Sequence, residues 1–415
     1  MRSELSEPAG LNQRTQVDRV DFLDGIRGWA SVVVLLSHII GSVLALVTPE
    51  LDANSFSDFK LSEFWRVIYD VYGVLLRIFT DGRLAVLIFF VLSGYALSVS
   101  HFNLQKNALA LATASRYFRL TIPILFTSLI AYVMLKAGLF FNLEAAARFP
   151  VLSDWLGSFY KFHGSIQGVL SFATYDVFFR YRSEVAYNAL LWTMPVELMG
   201  SFMIYGFLAL FKRSNAVQWG ISLLLALAFL CSTPLYACFI MGYLIAELNR
   251  IFVGKITRKG SDIFLVCAFL AVSGVAILRQ FIEWGDFVTY DAATCLIATA
   301  LVTSVSFSSG LRAFFSNRLS KFLGRISFPL YLIQIIVICS WSSFLYLKMP
   351  VLGGSVVLAA VINLLTTISL CIGLSALLIP IERLSIFASK TLGGYLLIKD
   401  AVRPFRESRA SLPPA

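Results

Sequence analysis

The chain has 415 residues, of which 58% are hydrophobic and 14% are charged, and its formal net charge is +10. A soluble domain of this size could not bury so large an apolar fraction, so the composition excludes an ordinary soluble protein and predicts a polytopic membrane protein. A basic chain can bind nucleic acid, but the basic residues here are distributed as membrane topology requires.

Apolar stretches follow one another along the whole chain, each long enough to cross a bilayer as a helix, which takes about 17 to 25 residues. They lie at residues 29–47, 83–100, 119–138, 189–211, 216–233, 235–253, 262–281, 291–308, 327–347 and 354–379. We therefore predict an all-α fold, a polytopic membrane helix bundle of about ten transmembrane helices surrounded by membrane lipid. An even number of spans places both termini on one side.

Lysine and arginine concentrate in the segments on one side of these spans. Examples are Arg116 and Arg119, Lys212 and Arg213, Arg258 and Lys259, Arg312 to Arg325, and Arg403 to Arg409. Because basic residues collect on the cytoplasmic side, we predict a multi-pass protein of the inner (plasma) membrane with both termini cytoplasmic. The basicity then reflects topology, and no nucleic-acid partner is expected.

The predicted organisation is a cytoplasmic N-terminal segment at 1–22, a transmembrane domain at 23–380 and a basic cytoplasmic tail at 381–415. Two segments of the domain, 48–82 and 139–188, lie outside the membrane. All six cysteines fall within or beside predicted spans, where they are expected to pack as small apolar side chains. The spacing of residues predicts no disulfide framework and no metal site.

The outside segments differ in character. Residues 48–82 are acidic, and their amphipathic stretch 64–80 favours a surface or re-entrant helix. Residues 139–188 are rich in aromatic side chains, which can cover an acceptor site for sugar rings or form an interfacial lid packed on the bundle. The tail is predicted to be disordered beyond Phe405.

Two ionisable residues, Arg27 and His38, lie in or beside the first apolar run. Such residues are rare at membrane depth unless they have a function. Eleven steps of about 100° return almost to the starting direction, so both residues share one helix face, roughly 16 Å apart along the axis. We expect Arg27 near the membrane surface and His38 further inside, an arrangement that suits a ligand with a charged end and a buried reactive end.

Five short motifs occur in an order that resembles the acyltransferase family 3 membrane proteins. They are Leu23-Asp24-Gly25-Ile26-Arg27-Gly28 followed by His38, Phe89-Phe90-Val91-Leu92-Ser93-Gly94-Tyr95, Arg116-Tyr117-Phe118-Arg119, Leu191-Trp192-Thr193-Met194-Pro195-Val196-Glu197, and Ile326-Ser327-Phe328-Pro329-Leu330-Tyr331-Leu332-Ile333-Gln334. The resemblance covers roughly residues 20 to 380. One residue departs from the family pattern, because the frequent late histidine is Gln334 here, and an amide cannot exchange a proton near neutral pH.

The resemblance implies transfer of an acyl group, most often acetyl, from cytosolic acyl-coenzyme A (acyl-CoA) to a hydroxyl of a carbohydrate or glycolipid acceptor. A buried His38 would stay neutral and could take the acceptor's proton or carry the acyl group itself. Glu197 would orient or protonate the reacting groups, with His38, an arginine of a neighbouring helix or an acceptor hydroxyl as its partner. The phosphates of the donor, acetyl-CoA in the simplest case, suit the forked donors of Arg27, Arg116 and Arg119.

Each of these residues also has a purely structural interpretation. His38 can form an inter-helix hydrogen bond, the positive-inside bias alone can explain the arginines, and Glu197 can form an ion pair. Five further residues are expected to support the site: Asp24, Ser93, Trp192, Tyr331 and Gln334. Asp24 can pair with Arg27 or cap the first helix, and Ser93 permits close helix approach. Trp192 and Tyr331 can line a cavity or pack within the bundle.

Two other classes of function remain open on the sequence. Buried charges can line the pathway of a transporter or flippase for a glycosylated or acylated lipid. Gln334 is compatible with a catalytically inactive relative that serves as a scaffold.

Overall fold

The computed structural model describes residues 21–40, 80–102, 106–149, 155–211, 215–252, 255, 260–264, 266–267, 270, 274, 287–348 and 356–410. In chain order the α-helices are α1 (Asp21–Ile40), α2 (Gly82–His101), α3 (Lys106–Lys136), α4 (Asn142–Arg148), α5 (Ile166–Ser171), α6 (Val177–Phe179), α7 (Met194–Leu210), α8 (Ala216–Ser232), α9 (Pro234–Phe252), α10 (Phe287–Phe307), α11 (Ser309–Phe315), α12 (Arg318–Val337), α13 (Ser343–Lys348), α14 (Val356–Leu377) and α15 (Ile379–Ala410). Short 3-10 turns lie at Leu156–Ser158, Ser183–Val185 and Ala189–Thr193, and π-helical turns at Phe172–Asp176 and Ile338–Ser342. No strand occurs in these residues, so the predicted all-α fold is confirmed.

Eight helical segments among the described residues are long and apolar enough to cross a membrane. They are Asp21–Ile40, Gly82–Ser100, Ala108–Lys136, Ala189–Leu210, Pro234–Phe252, Phe287–Phe307, Arg318–Lys348 and Leu358–Leu397. The predicted span at 216–233 corresponds to the shorter apolar helix α8. The predicted span at 262–281 and the amphipathic stretch at 64–80 lie largely outside the described residues. The chain is a multi-pass membrane protein.

Glycines set the closest helix crossings of the bundle. A Cβ atom on Gly94 of α2 would lie 2.1 Å from the Phe239 carbonyl oxygen of α9, and one on Gly242 would lie 2.0 Å from the Val91 carbonyl oxygen. Neither position has room for any side chain, so α2 and α9 pack backbone against backbone. The close approach predicted at Ser93-Gly94 is confirmed.

A second crossing joins α1 to α12. A Cβ on Gly28 would lie 2.5 Å from the Gly324 amide nitrogen, and one on Gly324 would lie 2.5 Å from the Asp24 carbonyl oxygen. The Trp29 indole donates a hydrogen bond to Ser320 Oγ at 3.0 Å beside this crossing. The first motif of the chain therefore anchors α1 against α12 through its glycines.

The segment predicted as a tail is helical in the structure as far as Ala410. The helix α15 packs along α3, and small buried residues, Ser385, Ser389 and Gly393, lie at four-residue intervals where the two helices meet. A Cβ on Gly393 would lie 2.4 Å from Ser115 Oγ. Residues 406–410, for which disorder was expected, continue this helix, and residues 411–415 lie outside the described residues.

The outside segment 139–188 is folded on itself, apart from residues 150–154, which are not described. Asn142 Nδ2 donates to the carbonyl oxygens of Leu156 and Phe159 at 3.0 and 2.9 Å. The buried Tyr160 hydroxyl donates to the Tyr187 carbonyl oxygen at 3.1 Å, and burial raises the pKa of Tyr160, which keeps it a donor. The segment also packs on the bundle, because the Phe141 amide donates to the Cys339 carbonyl oxygen at 2.9 Å and Asn188 Nδ2 to the Leu332 carbonyl oxygen at 2.7 Å. Its role in covering an acceptor site stays a prediction.

Candidate active site

His38 of α1 and the first residues of α2 line a cavity of about 290 Å³. The C-terminal end of α1 approaches the start of α2 so closely that a Cβ on Gly82 would lie 2.4 Å from Ser37 Oγ. This contact places His38 beside Arg83, and both line the cavity with Trp192 and Tyr331. The wall of the cavity therefore contains both a side chain that can take a proton, His38, and a permanently charged side chain, Arg83.

A larger hollow of about 620 Å³ lies on the surface between the second π-helical turn and α14. Its lining residues include Trp341, Thr366 and Ser369 and no ionisable side chain. Chemistry that needs proton transfer is therefore better placed in the smaller cavity.

The aromatic outside segment contacts His38 through Trp155. The Trp155 indole packs against the imidazole of His38 with 5.2 Å between ring centroids, and Phe159 packs edge-on against the same indole. This contact restricts the His38 ring. The sequence singled out the aromatic segment but not Trp155 as a neighbour of His38.

Arg83 is the cavity residue that sequence reasoning missed. Its Nε donates to Asp291 Oδ1 at 2.8 Å and its Nη2 to Asp291 Oδ2 at 2.5 Å, and its guanidinium carbon lies 4.9 Å from the Trp192 ring centroid. A signal was present in the sequence, because Arg83 and Asp291 are the first residues of two predicted spans and carry opposite charges.

Trp192 and Tyr331 both line the cavity, which is one of the two roles expected for them. The Tyr331 hydroxyl donates to the Leu190 carbonyl oxygen and shares a hydrogen bond of 2.7 Å with Thr193 Oγ1. These bonds fasten α12 to the 3-10 turn that carries Trp192. Tyr331 is therefore a positioning residue as well as part of the cavity wall.

Glu197 lies elsewhere. It pairs with Arg116 of α3 and accepts a hydrogen bond from Ser93 Oγ at 2.9 Å, while Arg116 Nε donates to Ser201 Oγ at 2.9 Å. The side chains of Arg116 and Glu197 are only 12% and 13% exposed. Of the partners considered for Glu197, the structure shows an arginine of a neighbouring helix. Glu197 does not belong to the lining of the His38 cavity, and its catalytic role stays a prediction.

The three arginines predicted to bind the donor lie near one another, at the other end of α1 from His38. Arg27 pairs with Asp24 at 3.2 Å, so the pairing alternative for Asp24 is the one observed. Arg119 is exposed and lies within electrostatic range of Arg27, Arg116 and Glu382. A cluster of three guanidinium groups can hold phosphates, although the carboxylates beside it lower its net charge.

Gln334, which replaces the family's late histidine, is fully buried one turn after Tyr331. Its Nε2 is 3.4 Å from the Tyr331 carbonyl oxygen, and its Oε1 has no hydrogen-bond partner within the described part of the chain. Gln334 does not line the His38 cavity.

Comparisons with known proteins agree with the motifs. The chain is 23% identical over 377 residues to the O-acetyltransferase PaAT-1 of Phomopsis amygdali. The matched region covers 78% of this chain and 73% of that protein. No solved structure matches the chain. The model of the family-3 acyltransferase domain matches residues 20–379. The chain therefore belongs to the acyltransferase family 3 and is a membrane O-acyltransferase.

Proposed function

We propose that this enzyme transfers an acyl group, most simply acetyl, from cytosolic acyl-CoA to a hydroxyl of a carbohydrate or glycolipid acceptor. The observation that carries the proposal is the arrangement along α1, where the arginine cluster and the His38 cavity lie about 16 Å apart along one helix. The similarity to an O-acetyltransferase supports acetyl as the acyl group.

The donor binds with its phosphates on Arg27, Arg116 and Arg119. Arg119 is the most accessible of the three, whereas one edge of Arg116 is already occupied by Glu197 and Ser201. The extended pantetheine arm of CoA has a length comparable to the distance along α1. It would carry the thioester inward to His38.

His38 acts on the acceptor. A neutral imidazole held by Trp155 can accept the proton of the acceptor hydroxyl as its oxygen attacks the thioester carbonyl. Alternatively, the imidazole first takes the acyl group and then passes it to the acceptor. Both routes release CoA on the donor side.

The enzyme resides in the inner (plasma) membrane with both termini cytoplasmic, and residues 139–188 face outward. A cysteine introduced as Ser158→Cys, at an exposed position of that segment, should react with an impermeant thiol reagent in intact cells. A reporter fused after Ala415 should read as cytoplasmic. Either opposite result would overturn the orientation.

The purified protein in lipid nanodiscs tests the proposal. Isothermal titration with CoA should show binding by the parent and by His38→Ala, and only the parent should release free thiol from acetyl-CoA when a heat-treated membrane extract is supplied as acceptor. A parent that binds no CoA and releases no thiol would refute acyl-CoA as the donor.

A further inference from the structure

The ion pair of Arg83 and Asp291 joins α2 to α10 across the wall of the His38 cavity, and the reaction described so far does not use it. Burying a charged pair is costly, because both groups lose water. The Asp291 residue is 7% exposed and the Arg83 side chain 29% exposed. Because Arg83 also lines the His38 cavity, this pair is positioned to act in the chemistry of that cavity.

The geometry fixes the guanidinium plane of Arg83 on two sides. Asp291 accepts from Nε and Nη2, and the Trp192 ring lies against the group at 4.9 Å. A guanidinium has five N–H groups, and the carboxylate uses two of them. Within the described residues, no hydrogen bond engages Nη1. Nη1 is thus a charged donor in a held orientation beside the cavity that contains His38.

A second pair in the same bundle shows what this arrangement looks like without a cavity. Arg250 donates from Nε and Nη2 to Glu247 and lies 5.2 Å from the Phe102 ring centroid. Its partner is also a carboxylate and its neighbour is also an aromatic ring, although both of its donors bind one oxygen, Glu247 Oε2, and the pair lies within α9. Arg250 lines neither of the cavities described above. Arg250 therefore serves as a matched control for the structural part of the role of Arg83.

We propose that Arg83 stabilises the oxyanion of the tetrahedral adduct formed during acyl transfer, with Asp291 and Trp192 as its positioning residues. The proposal rests on the acyl-CoA chemistry proposed above. Enzymes usually stabilise such adducts with hydrogen-bond donors that already point to the oxygen on which negative charge develops. These donors then need not reorient during the reaction.

In the step itself, the acceptor hydroxyl gives its proton to His38 while its oxygen bonds to the thioester carbonyl carbon. The carbonyl π pair moves onto the carbonyl oxygen, which accepts a hydrogen bond from Arg83 Nη1. When the pair returns, the C–S bond breaks and the CoA sulfur leaves with the proton held by His38. If the acyl group passes through His38, an oxyanion forms at the same carbonyl in both steps.

The test uses the full-length protein in nanodiscs, with thiol release from acetyl-CoA in the presence of heat-treated membrane extract. Arg83→Gln should lower kcat about 100- to 1000-fold, as expected for a lost oxyanion donor, with the KM for acetyl-CoA changed less than about threefold. Arg250→Gln should leave both constants within about twofold of the parent. Asp291→Asn should lower kcat less than Arg83→Gln and add little to it in the double variant.

Chemical rescue distinguishes a catalytic role of Arg83 from a purely structural one. Methylguanidinium supplied to Arg83→Ala should restore kcat at least tenfold and should not affect Arg250→Ala. Wild-type kcat in Arg83→Gln, or a loss of activity without rescue that matches a loss of monodisperse protein, would overturn the proposal. An inactive parent enzyme would instead refute acyl-CoA as the donor, so the two failures are distinguishable.

Discussion

The pair of Glu197 and Arg116 allows a sharp test of what Glu197 does. Both side chains are nearly buried, at 13% and 12% exposure, and Glu197 also accepts from Ser93 while Arg116 donates to Ser201. Glu197→Gln keeps the shape of the side chain but leaves the Arg116 charge without a counter-ion. Breaking a buried pair in this way costs about 3 to 5 kcal/mol.

The expected shift in melting temperature follows from the size of the chain. An unfolding entropy of about 2.1 cal/mol/K per residue gives about 0.9 kcal/mol/K for 415 residues. Glu197→Gln and Arg116→Met should therefore each lower Tm by about 3 to 6 °C in nanodiscs. The double variant, in which no unpaired charge remains, should be less destabilised than the sum of the single variants.

The same double-mutant cycle on kcat decides between two roles for Glu197. If Glu197 only positions Arg116, its loss should matter little once Arg116 is already Met. If Glu197 is a catalytic acid or base, Glu197→Gln should abolish transfer in either background. Additive losses of Tm would refute the energetic coupling of this pair.

Further outcomes are expected elsewhere in the bundle. His38→Ala and His38→Gln should both abolish thiol release without loss of expression, and retained transfer in either would refute its role as a base. Gly94→Ala should prevent stable folding because its Cβ would lie 2.1 Å from the Phe239 carbonyl oxygen, whereas Gly206→Ala, with no atom within 4 Å of the new Cβ, should express normally in the same size-exclusion assay. Arg119→Ala should raise the KM for acetyl-CoA by a factor that corresponds to roughly 1.5 to 3 kcal/mol, with partial recovery in Arg119→Lys, and a normal donor KM would remove Arg119 from the donor site.

Local patterns in the sequence were sufficient to predict the membrane bundle. In lipid, backbone polar groups have no water to bond to, and a continuous apolar run of about 20 residues satisfies its own groups only as a helix. The helices α2 and α9 accordingly begin within one residue of where the apolar runs predicted spans, and the predicted span at 189–211 corresponds to the 3-10 turn Ala189–Thr193 followed by α7. The spacing of Arg27 and His38 likewise follows from one helix alone.

Which side chains meet across the bundle was decided by the tertiary structure. Arg83 and Asp291 are separated by 208 positions in the chain, and Ser93 and Glu197 by 104. No helical period connects residues so far apart. From the sequence alone, each carboxylate could have paired with any of several arginines. Local patterning therefore determined the class of protein and the candidate base. Helix packing, governed by glycine contacts such as those of Gly28 and Gly94, decided that Arg83 rather than Glu197 shares the cavity of His38.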